Sequence, residues 1–551
     1  MSQDVTEREL QFETHDLEAV DGWIRSQPRH AQLSFRSTGE KIQHDTYFDT
    51  TDWAIYRGGY SLRVRRRGEA AEATLKALGK AKNGFHSRRE ITQRLPDAAG
   101  AWETAGEVTT RVQAMTAGKP VRPLFEIVNR RRTVAIERDG VELAEISLDD
   151  AQILVDGTAR RTFARVEIEE STAGGLEQAE SFIEALREAG GLLPTDTSKF
   201  ELGLVTAELQ AGQGFDLGYV VLSPEASSGE YAYALLRKLF TAMLNHEPGT
   251  RLGEDPEELH DMRVATRRLR AAMSTFRDVL PARFERMRAE LKWIAGCLGE
   301  VRDVEVQLEW LEAIQRQSGW EDATAVGPLI EERRERWSVE RTRLLEALNS
   351  ERYRALVDDL TAMLREGDEG QGAAAAPVRQ YGRKVLRKRH RQFKREVSDL
   401  TPESDPHLYH LARIRAKKLR YAAEALTEVY GEPVTGLVTA IKAAQDLLGE
   451  HQDKAVAIGW LRQTALSDRA WPPLTLVRLG ELAEGSRYRM AELRREWPET
   501  FAAVEKQWRQ LRRATRKGGK PRESKKPVEE APPSVAVQRP LSIFRRFFTR
   551  G

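Results

Sequence analysis

The chain has 551 residues and a formal net charge of +2 at pH 7, and a chain of this length is expected to form about two to four domains. Its single cysteine excludes an internal disulfide framework and a cysteine-based zinc site. Because it has neither a signal-peptide pattern nor a run of about 18 apolar residues, we expect a cytoplasmic protein without a transmembrane segment.

The first predicted element is a strand at residues 6–13, TERELQFE, whose side chains alternate between two faces. One face carries the carboxylates of Glu7, Glu9 and Glu13 together with the amide of Gln11, whereas the other face is mostly apolar. Acidic residues two positions apart share one face of a strand. The pattern therefore predicts a strand with one carboxylate-rich face.

A row of arginines follows at residues 59–68, GYSLRVRRRG, where a strand would point Arg63, Arg65 and Arg67 to one side. Three guanidinium groups on one face need anionic partners. A solvated edge strand is the alternative for one isolated segment. The further cations and carboxylates on alternating positions of other strands favour a phosphate-binding site.

Residues 1–208 contain further strand-like segments at 44–50, 72–78 and 85–91 and between 121 and 170, and helices are predicted only at 101–116 and 176–189. This pattern predicts an antiparallel β domain that closes into a barrel and so hides its edges. Alternating polar residues from distant strands would then meet in the barrel interior. They are Thr74 and Lys76, Arg88 and Glu90, Glu145, Ser147 and Asp149, and Arg165, Glu167 and Glu169.

The ordered segments ERELQF, YFDT, SLRVR, TLK, RRE, SLDD, VEIE and SKFEL extend over about 200 residues. Together they resemble the CYTH domain, the triphosphate tunnel metalloenzyme family. The resemblance implies an eight-stranded antiparallel tunnel. Such a tunnel binds triphosphate with basic residues and divalent cations with acidic residues.

The resemblance also implies roles for individual residues. The implied metal ligands are Glu7, Glu9, Asp149, Glu167 and Glu169, and the implied phosphate ligands are Arg63, Arg65, Lys76, Arg88, Arg131 and Lys199. Carboxylate oxygens suit Mg²⁺, with Mn²⁺ as the alternative, and arginines bind phosphate bidentately. No side-chain nucleophile is required, because phosphoryl transfer depends mainly on positioning and electrostatics. Glu7, Glu9, Gln11 and Lys76 form the candidate catalytic set.

One position departs from the family pattern Glu-x-Glu-x-Lys, because Gln11 stands where the lysine is expected. The exchange removes a cation and a proton acceptor. Activity is then weaker, differently selective or absent, with binding retained. A second open point is the register of the run at 130–132, where a shift of one residue would turn a neighbour of Arg131 inward.

The predicted function is a metal-dependent hydrolase of inorganic triphosphate or short polyphosphate. The alternatives are a non-catalytic polyphosphate-binding protein and a tunnel enzyme that acts on thiamine triphosphate or a nucleoside triphosphate, including an adenylate cyclase. The absence of a paired aromatic platform in the sequence weighs against a nucleoside or thiamine substrate.

Residues 209–228 are rich in Gly, Ser and Pro and are predicted to be a linker, and residues 229–508 show helical periodicity. This helical part repeats, since HDMRVATRRLR starts at His260 and HLARIRAKKLR at His410, 150 residues later. LGEVRD at 298 and LGEHQD at 448 have the same offset. The fold expected overall is multidomain α+β, in which two similar bundles of about four helices are related by a pseudo-twofold axis.

Each half of the repeat has a basic helix face. The first consists of His260, Arg263, Arg267 and Arg270, and the second of His410, Arg413, Lys417 and Arg420, with Arg387 and Arg391 added by an earlier helix. Each set of four falls within an arc of roughly 80° on a helix. One basic face is commonly just solvated, but its repetition favours a groove for a polyanion.

This pair of helical repeats resembles the CHAD domain. The resemblance implies binding of inorganic polyphosphate and association with polyphosphate granules. Metal binding by the histidines is disfavoured because they lie among arginines without a nearby carboxylate set. Nucleic acid is a further candidate ligand, because a groove for polyphosphate also attracts a phosphodiester backbone, but no specific nucleic acid is expected.

The last segment, residues 509–551, is basic, rich in proline and poor in large apolar residues, so it is predicted to be disordered. Its end, LSIFRRFFTR at 541–550, alternates aromatic and basic residues at helical spacing. That end is a candidate docking segment for a partner or a membrane surface.

Overall fold

The computed structural model describes residues 3–27, 29–30, 32–67, 70–96, 102, 104–317, 319–368 and 370–516. Its N-terminal part combines a β-barrel with short helices, and its C-terminal part is helical. This is the multidomain α+β architecture that the sequence predicts. None of the helices in the described ranges is both long and apolar enough to span a bilayer.

In the described N-terminal residues, the strands are β1 (Gln3–Glu13), β2 (Arg29–His30), β3 (Leu33–Asp49), β4 (Tyr60–Arg67), β5 (Ala70–Ala77), β6 (Phe85–Leu95), β7 (Arg122–Arg138), β8 (Val141–Val155), β9 (Thr158–Glu170) and β10 (Leu193–Pro194). The helices there are α1 (Leu17–Ser26), α2 (Ala54–Arg57), α3 (Glu107–Thr116), α4 (Gly175–Gln178), α5 (Glu180–Ala189) and α6 (Lys199–Thr206).

The eight long strands close into an antiparallel barrel. Their order is β1-β6-β5-β4-β3-β7-β8-β9, and β9 pairs back with β1. Closure brings Glu9 opposite Glu169 and Gln11 opposite Glu167 in the register of β1 and β9. The predicted eight-stranded antiparallel tunnel is therefore confirmed, and it unites the acidic faces of the first and last strands.

The barrel has its apolar core on the outside. Apolar side chains of β7, β8 and β9 pack against α1 and α5 around Phe182, and those of β4, β5 and β6 pack against α3 around Val112. Because strand side chains alternate, the charged residues between these apolar positions face the interior. Covering the outside with helices thus leaves the interior for polar chemistry.

The expectation that helices are confined to 101–116 and 176–189 is wrong, because α1 and α6 also form. Helix α1 is capped by Asp16, which accepts a hydrogen bond from the Ala19 amide, and its buried residues Val20 and Ile24 face the barrel. Helix α6 begins with a capping box formed by Ser198 and Glu201. Both helices are short, and capping and packing against the barrel stabilise them.

The described C-terminal helices are α7 (Ser228–Asn245), α8 (Glu247–Leu252), α9 (Pro256–Thr275), α10 (Arg283–Gln317), α11 (Trp320–Asn349), α12 (Glu351–Glu366), α13 (Val378–Val397), α14 (Pro406–Glu424), α15 (Thr427–Tyr430), α16 (Glu432–Ala465) and α17 (Pro473–Arg516), with a 3₁₀ turn at Gly372–Ala375. The sequence repeat places α9 in correspondence with α14 and α10 with α16. One apolar core extends through both halves.

The predicted linker lies between α6 and α7 and docks on both sides. The Arg57 guanidinium lies 4.7 Å from the Phe215 ring centroid, and Leu217 is buried in the helical core. Helix α17 continues to Arg516, so the first part of the predicted tail is helical. Residues 517–551, including LSIFRRFFTR, lie outside the described residues.

The barrel and the helical domain also meet directly. Glu254, in the loop after α8, accepts hydrogen bonds from the Tyr60 hydroxyl at 2.6 Å, from Arg89 at 3.0 Å and from Arg111 at 2.8 Å. Leu252 packs against the apolar cluster outside β4, β5 and β6. These contacts join the outer wall of the barrel to the start of the helical repeat.

Candidate functional site

The barrel encloses a cavity of about 280 Å³ whose wall is mostly charged. Its charged lining residues include Glu7, Glu9, Arg63, Arg65, Lys76, Arg88, Glu90, Arg131, Glu167, Glu169 and Lys199. All six predicted phosphate ligands are in this set. Four of the five predicted metal ligands are in it too, whereas Asp149 is completely buried behind the wall.

The first cluster in the cavity joins β1 to the middle strands. Lys76 Nζ lies 2.5 Å from Glu7 Oε2 and 3.3 Å from Glu9 Oε1. Arg88 Nη2 donates to the same Glu9 oxygen at 3.0 Å. Glu90 Oε2 lies 3.5 Å from Lys76 Nζ. The carboxylates of β1 therefore contact one basic residue of β5 and one of β6.

A second cluster lies where β7, β8, β9 and α6 meet. Arg131 forms two hydrogen bonds of 2.7 Å with Asp149 and one of 2.6 Å with Glu167. Lys199 Nζ lies 2.5 Å from Asp149 and 2.9 Å from Glu167. Because Lys199 is the first residue of α6, the capping box orients its backbone. Two cations and two carboxylates thus form one buried network.

The run of arginines at 130–132 has a definite register in the structure. Arg131 points into the cavity, whereas Arg130 pairs with Glu40 and Arg132 pairs with Asp21 on the outside of the barrel. Arg131, which the sequence predicts to point inward, therefore does so in the structure.

The arginine strand forms the third cluster. Arg65 makes a bidentate pair with Asp45 at 2.7 and 2.8 Å. Arg63 donates to the Thr74 hydroxyl at 3.3 Å and lies 3.7 Å from Asp45 and 3.7 Å from Glu90. Sequence reasoning did not assign Asp45 to the site. Asp45 lies directly opposite Arg65 on the neighbouring strand, and this could be predicted only with knowledge of the register between β3 and β4.

The carboxylates of the cavity differ in their electrostatic surroundings. Burial raises the pKa of Glu7 to about 8 despite Lys76, with Glu90 and Glu169 contributing. Burial and Glu9 likewise raise the pKa of Glu169. Burial would also raise the pKa of Glu167, but Lys199, Arg131 and Arg165 together hold it well below its usual value. The folded protein therefore holds a proton more tightly on Glu7 and Glu169 than on Glu167.

The donor set in this cavity fits a divalent cation in its chemistry. Glu7, Glu9, Glu167 and Glu169 offer hard oxygen ligands from β1 and β9, and a cation would relieve the repulsion between Glu7 and Glu169. Within the described residues, no group of three or more acidic, histidine or cysteine side chains is gathered closely enough to hold a metal ion. Glu7, Glu9 and Glu167 instead contact basic residues.

Gln11 bridges the cavity and the layer behind it. Its Nε2 donates to Glu9 Oε1 at 2.9 Å, and its Oε1 accepts from Arg165 Nη1 at 3.1 Å. The side chain of Arg165 is completely buried. The sequence alone identified Gln11 as unusual but did not predict this arginine as its partner.

Four of the ten residues predicted to bind polyphosphate meet across the two halves of the helical domain. Burial lowers the pKa of Lys417 to about 7, and the nearby Arg413, Arg267 and Arg263 lower it further in that order. Arg263 lies 3.7 Å from Asp303, and in the second half Arg413 lies 3.9 Å from Asp453. The cluster of Arg263, Arg267, Arg413 and Lys417, which we call the central basic cluster, thus combines residues from α9 and α14.

Other predicted residues of the helical domain lie in different surroundings. His410 Nδ1 lies 2.8 Å from Gln452, and burial and Arg302 lower the pKa of His260. Burial and Arg288 lower the pKa of Arg270, and Arg420 pairs with Glu424 at 3.2 Å. Arg387 lies near Tyr430 together with Arg379 and Arg383, and Arg391 is exposed. The role of these residues in polyphosphate binding stays a prediction.

The CYTH domain model matches residues 24–203, and the CHAD domain model matches residues 234–462. The "Uncharacterized protein MT2285" of Mycobacterium tuberculosis is 26% identical over 445 residues, which are 76% of this chain and 82% of that protein. PptA from Streptomyces chartreusis is 23% identical, with a TM-score of 0.41, over 52% of this chain and 100% of its own. The CHAD domain from the plant Ricinus communis is 24% identical, with a TM-score of 0.39, over 54% of this chain and 96% of its own.

The two family matches follow one another along the chain. The first begins after β1 and includes the other seven long strands of the barrel, and the second includes α9, α10, α14 and nearly all of α16. The chain therefore contains a CYTH domain at residues 24–203, followed by a CHAD domain at residues 234–462.

Proposed function

We propose that this protein hydrolyses inorganic triphosphate or short polyphosphate with a divalent cation, and that its helical domain binds longer polyphosphate. The observation that carries the proposal is the charged cavity, in which six cations from four strands and α6 face carboxylates from β1 and β9. A single cavity that offers both kinds of group suits a ligand with many phosphate oxygens and its bound metal ion.

The ion pairs in the cavity suggest how the protein would bind its ligands: substrate would replace the carboxylates, and a metal ion would replace the basic side chains. Triphosphate oxygens would replace the carboxylates as partners of Lys76, Arg88 and Arg63, and the released carboxylates would become ligands for Mg²⁺ or Mn²⁺. The basic residues would then orient the phosphate chain, and Arg131 and Lys199 would hold its far end. Such positioning is the main requirement of phosphoryl transfer.

We assign the metal-binding role to Glu7, Glu9, Glu167 and Glu169. The cation would supply neutralisation of phosphate charge and activation of a water molecule. Asp149 is completely buried between Arg131 and Lys199, so its role is to hold these two cations in place. This assignment keeps Asp149 at the site but moves it from the ligand set to the supporting layer.

The helical domain contributes the central basic cluster. Burial lowers the pKa of Lys417 in this cluster, and repulsion from the other three cations lowers it further. A bound polyanion would relieve that repulsion, since each phosphate oxygen can face a separate cation. Polyphosphate granules are the expected cellular partner of such a surface, and the cytoplasm is the expected location.

The test is phosphate release from tripolyphosphate, ATP, thiamine triphosphate and long-chain polyphosphate, each measured with Mg²⁺, Mn²⁺ or EDTA. Release from tripolyphosphate that EDTA abolishes is the expected result. Binding of tripolyphosphate without release would instead identify a non-catalytic binding protein, and faster release from ATP or thiamine triphosphate would identify a different tunnel enzyme.

A further inference from the structure

Arg165 on β9 is a buried cation without a full set of partners. Its Nη1 donates to Gln11 at 3.1 Å, whereas its Nη2 lies 3.9 Å from the half-exposed carboxylate of Glu13. Among the described residues, its Nε and Nη2 have no hydrogen-bond partner. The Phe163 ring centroid lies 5.4 Å from its guanidinium carbon. An aromatic ring and one amide oxygen are its close contacts here.

A buried arginine at this position is expected to lower the stability of the fold. Arginine stays charged in proteins, and burial of an ionised group that lacks hydrogen bonds to a counter-ion is costly. The charge of Arg165 acts on Glu167, but its one hydrogen bond is to the neutral amide of Gln11. An apolar side chain of similar length would fill the same space beside Phe163 without that cost. The guanidinium at Arg165 therefore points to a task in the neighbouring cavity, which it reaches through Gln11.

The amide of Gln11 has only one orientation that satisfies both neighbours. Arg165 can only donate hydrogen bonds, and the ionised Glu9 can only accept them. Gln11 therefore turns its Oε1 to Arg165 and its Nε2 to Glu9, as the distances of 3.1 and 2.9 Å show. A glutamate at this position would repel Glu9, and a lysine would repel Arg165.

The result is a defined orientation of the Glu9 carboxylate. Gln11 at 2.9 Å, Arg88 at 3.0 Å and Lys76 at 3.3 Å all meet it at Oε1. Lys76 and Arg88 also line the cavity and are assigned to substrate, so they change partners when substrate binds. Gln11 is the one of these three donors that is held from outside the cavity, by Arg165.

We propose that Arg165 is a positioning residue that fixes Glu9 through the amide of Gln11 and supplies positive charge to the acidic side of the tunnel from behind its wall. The inference rests on the proposed function, in which Glu9 binds the metal ion. Arg165 itself does not line the cavity, so its effect on Glu9 passes through Gln11, whereas its charge also acts on Glu167 and lowers the pKa of that carboxyl.

The experiment is a double-mutant cycle in the full-length protein with Arg165→Met and Gln11→Met, alone and combined. Three quantities are measured: the affinity for Mn²⁺ by calorimetry, the kcat and KM for tripolyphosphate, and the ligand-free thermal unfolding temperature. Arg132→Met is the matched control, because Arg132 lies on the barrel wall but pairs outward with Asp21 at 2.6 Å.

We expect each single variant to weaken Mn²⁺ binding by about 10- to 100-fold, as loss of an outer-layer partner does, and to lower kcat more than it changes KM. The double variant should bind Mn²⁺ about as well as the single variant with the lower affinity, because both substitutions break the same link between Arg165 and Glu9. Arg132→Met should leave Mn²⁺ affinity unchanged. Arg165→Lys, which keeps the charge, should retain part of it.

A second cycle keeps the inference testable if turnover is low. Gln11→Lys should lower the unfolding temperature in the presence of Arg165, because two buried cations then face each other, and Arg165→Gln in the same chain should reverse that loss. Independent effects of the two positions in both cycles would overturn the proposal. If the unaltered protein binds Mn²⁺ but releases no phosphate, the proposed function fails while the two cycles still decide the role of Arg165.

Discussion

Glu169 lies in the tunnel among carboxylates rather than among cations. Burial and Glu9 raise its pKa, with Lys76 opposing, so the folded protein holds the proton on Glu169 more tightly than the unfolded chain does. For a carboxyl group with a raised pKa, ionisation lowers stability as the pH rises above the ordinary value. The ionised residue is therefore a liability for folding that the metal ion would compensate.

From this we predict that Glu169→Gln raises the unfolding temperature at pH 7.5 and loses metal-dependent turnover. The stability gain should vanish below about pH 4, where the unfolded carboxyl is also protonated. Turnover should fall by at least about 10- to 100-fold, because loss of a metal ligand should lower activity more than loss of a residue that only supports a ligand. Glu170→Gln is the control, because Glu170 pairs with Arg8 at 2.9 Å on the outside and should lose stability but keep activity.

Lys417 provides a pH-dependent prediction in the helical domain. Its pKa is lowered to about 7 by burial and by Arg413, Arg267 and Arg263, so it is only partly protonated at neutral pH. A polyanion favours the protonated form, and binding therefore takes up a proton above pH 7. Affinity for long-chain polyphosphate should fall as the pH rises from 6 to 8.5, by up to about tenfold per unit above the pKa.

The measurement is calorimetric titration of the full-length protein with long-chain polyphosphate at several pH values and in buffers of different ionisation enthalpy. Lys417→Arg is the control, because arginine remains charged over this range. Its affinity should change little with pH. Equal pH dependence in both proteins would assign the effect to another group.

At the scale of elements, helix α6 positions Lys199 at its first turn. The Ser198 side chain accepts from the Glu201 amide, and Glu201 accepts from the Ser198 amide at 2.7 Å. Loss of such a cap costs about 0.5–2 kcal/mol. The cap should therefore serve both the stability of the helix and the placement of an ammonium group 2.5 Å from Asp149.

Ser198→Ala is expected to lower stability by about 0.5–2 kcal/mol and also to weaken tripolyphosphate binding severalfold. The chain offers a matched control in Ser227, which forms the same capping box with Glu230 at the start of α7. Ser227→Ala should lose similar stability without any change in tripolyphosphate affinity. Denaturant unfolding and calorimetry of the two variants separate the effects, and equal loss of affinity in both would contradict the assigned role of α6.

The sequence predicted inward positions better than it predicted partners. Alternation along a strand was enough to turn Arg63, Lys76 and Arg131 toward one interior, because side-chain direction is a local property. The pairing of Arg65 with Asp45, and of Gln11 with Arg165, depends on which strands are neighbours and in what register. These are long-range properties of the closed barrel.

The missed helices have a similar explanation. The Asp16 cap of α1 and the Ser198 cap of α6 were present in the sequence, but each helix covers few turns and draws its stability from the barrel beneath it. Periodicity over so short a segment does not separate a helix from a loop.

For the whole molecule, we predict a division of labour between the tunnel and the helical domain. Changing Arg263, Arg267, Arg413 and Lys417 to alanine should weaken long-chain polyphosphate binding strongly while leaving tripolyphosphate hydrolysis unchanged. The slope of log affinity against log salt concentration should decrease by about one for each lost contact. Unaltered protein should also bind more tightly as the chain lengthens, because linked contacts reinforce each other.

Duplex DNA of matched charge is the control for this prediction. Both polymers release counterions, so salt dependence alone does not distinguish them. If DNA competes equally well with polyphosphate at physiological salt, the central basic cluster binds polyanions in general and the assignment to polyphosphate fails.

The matching contacts of Arg263 with Asp303 and of Arg413 with Asp453 have an evolutionary consequence. Gene duplication and fusion of a half-sized ancestor would produce a repeat that extends to single ion pairs. Before fusion, two identical copies would have met as a homodimer, and each substitution would have appeared twice. In a single chain that constraint is lifted, and the two halves do differ: Arg302 pairs with Glu309, whereas its counterpart Gln452 contacts His410. The two halves of the central basic cluster can therefore specialise separately.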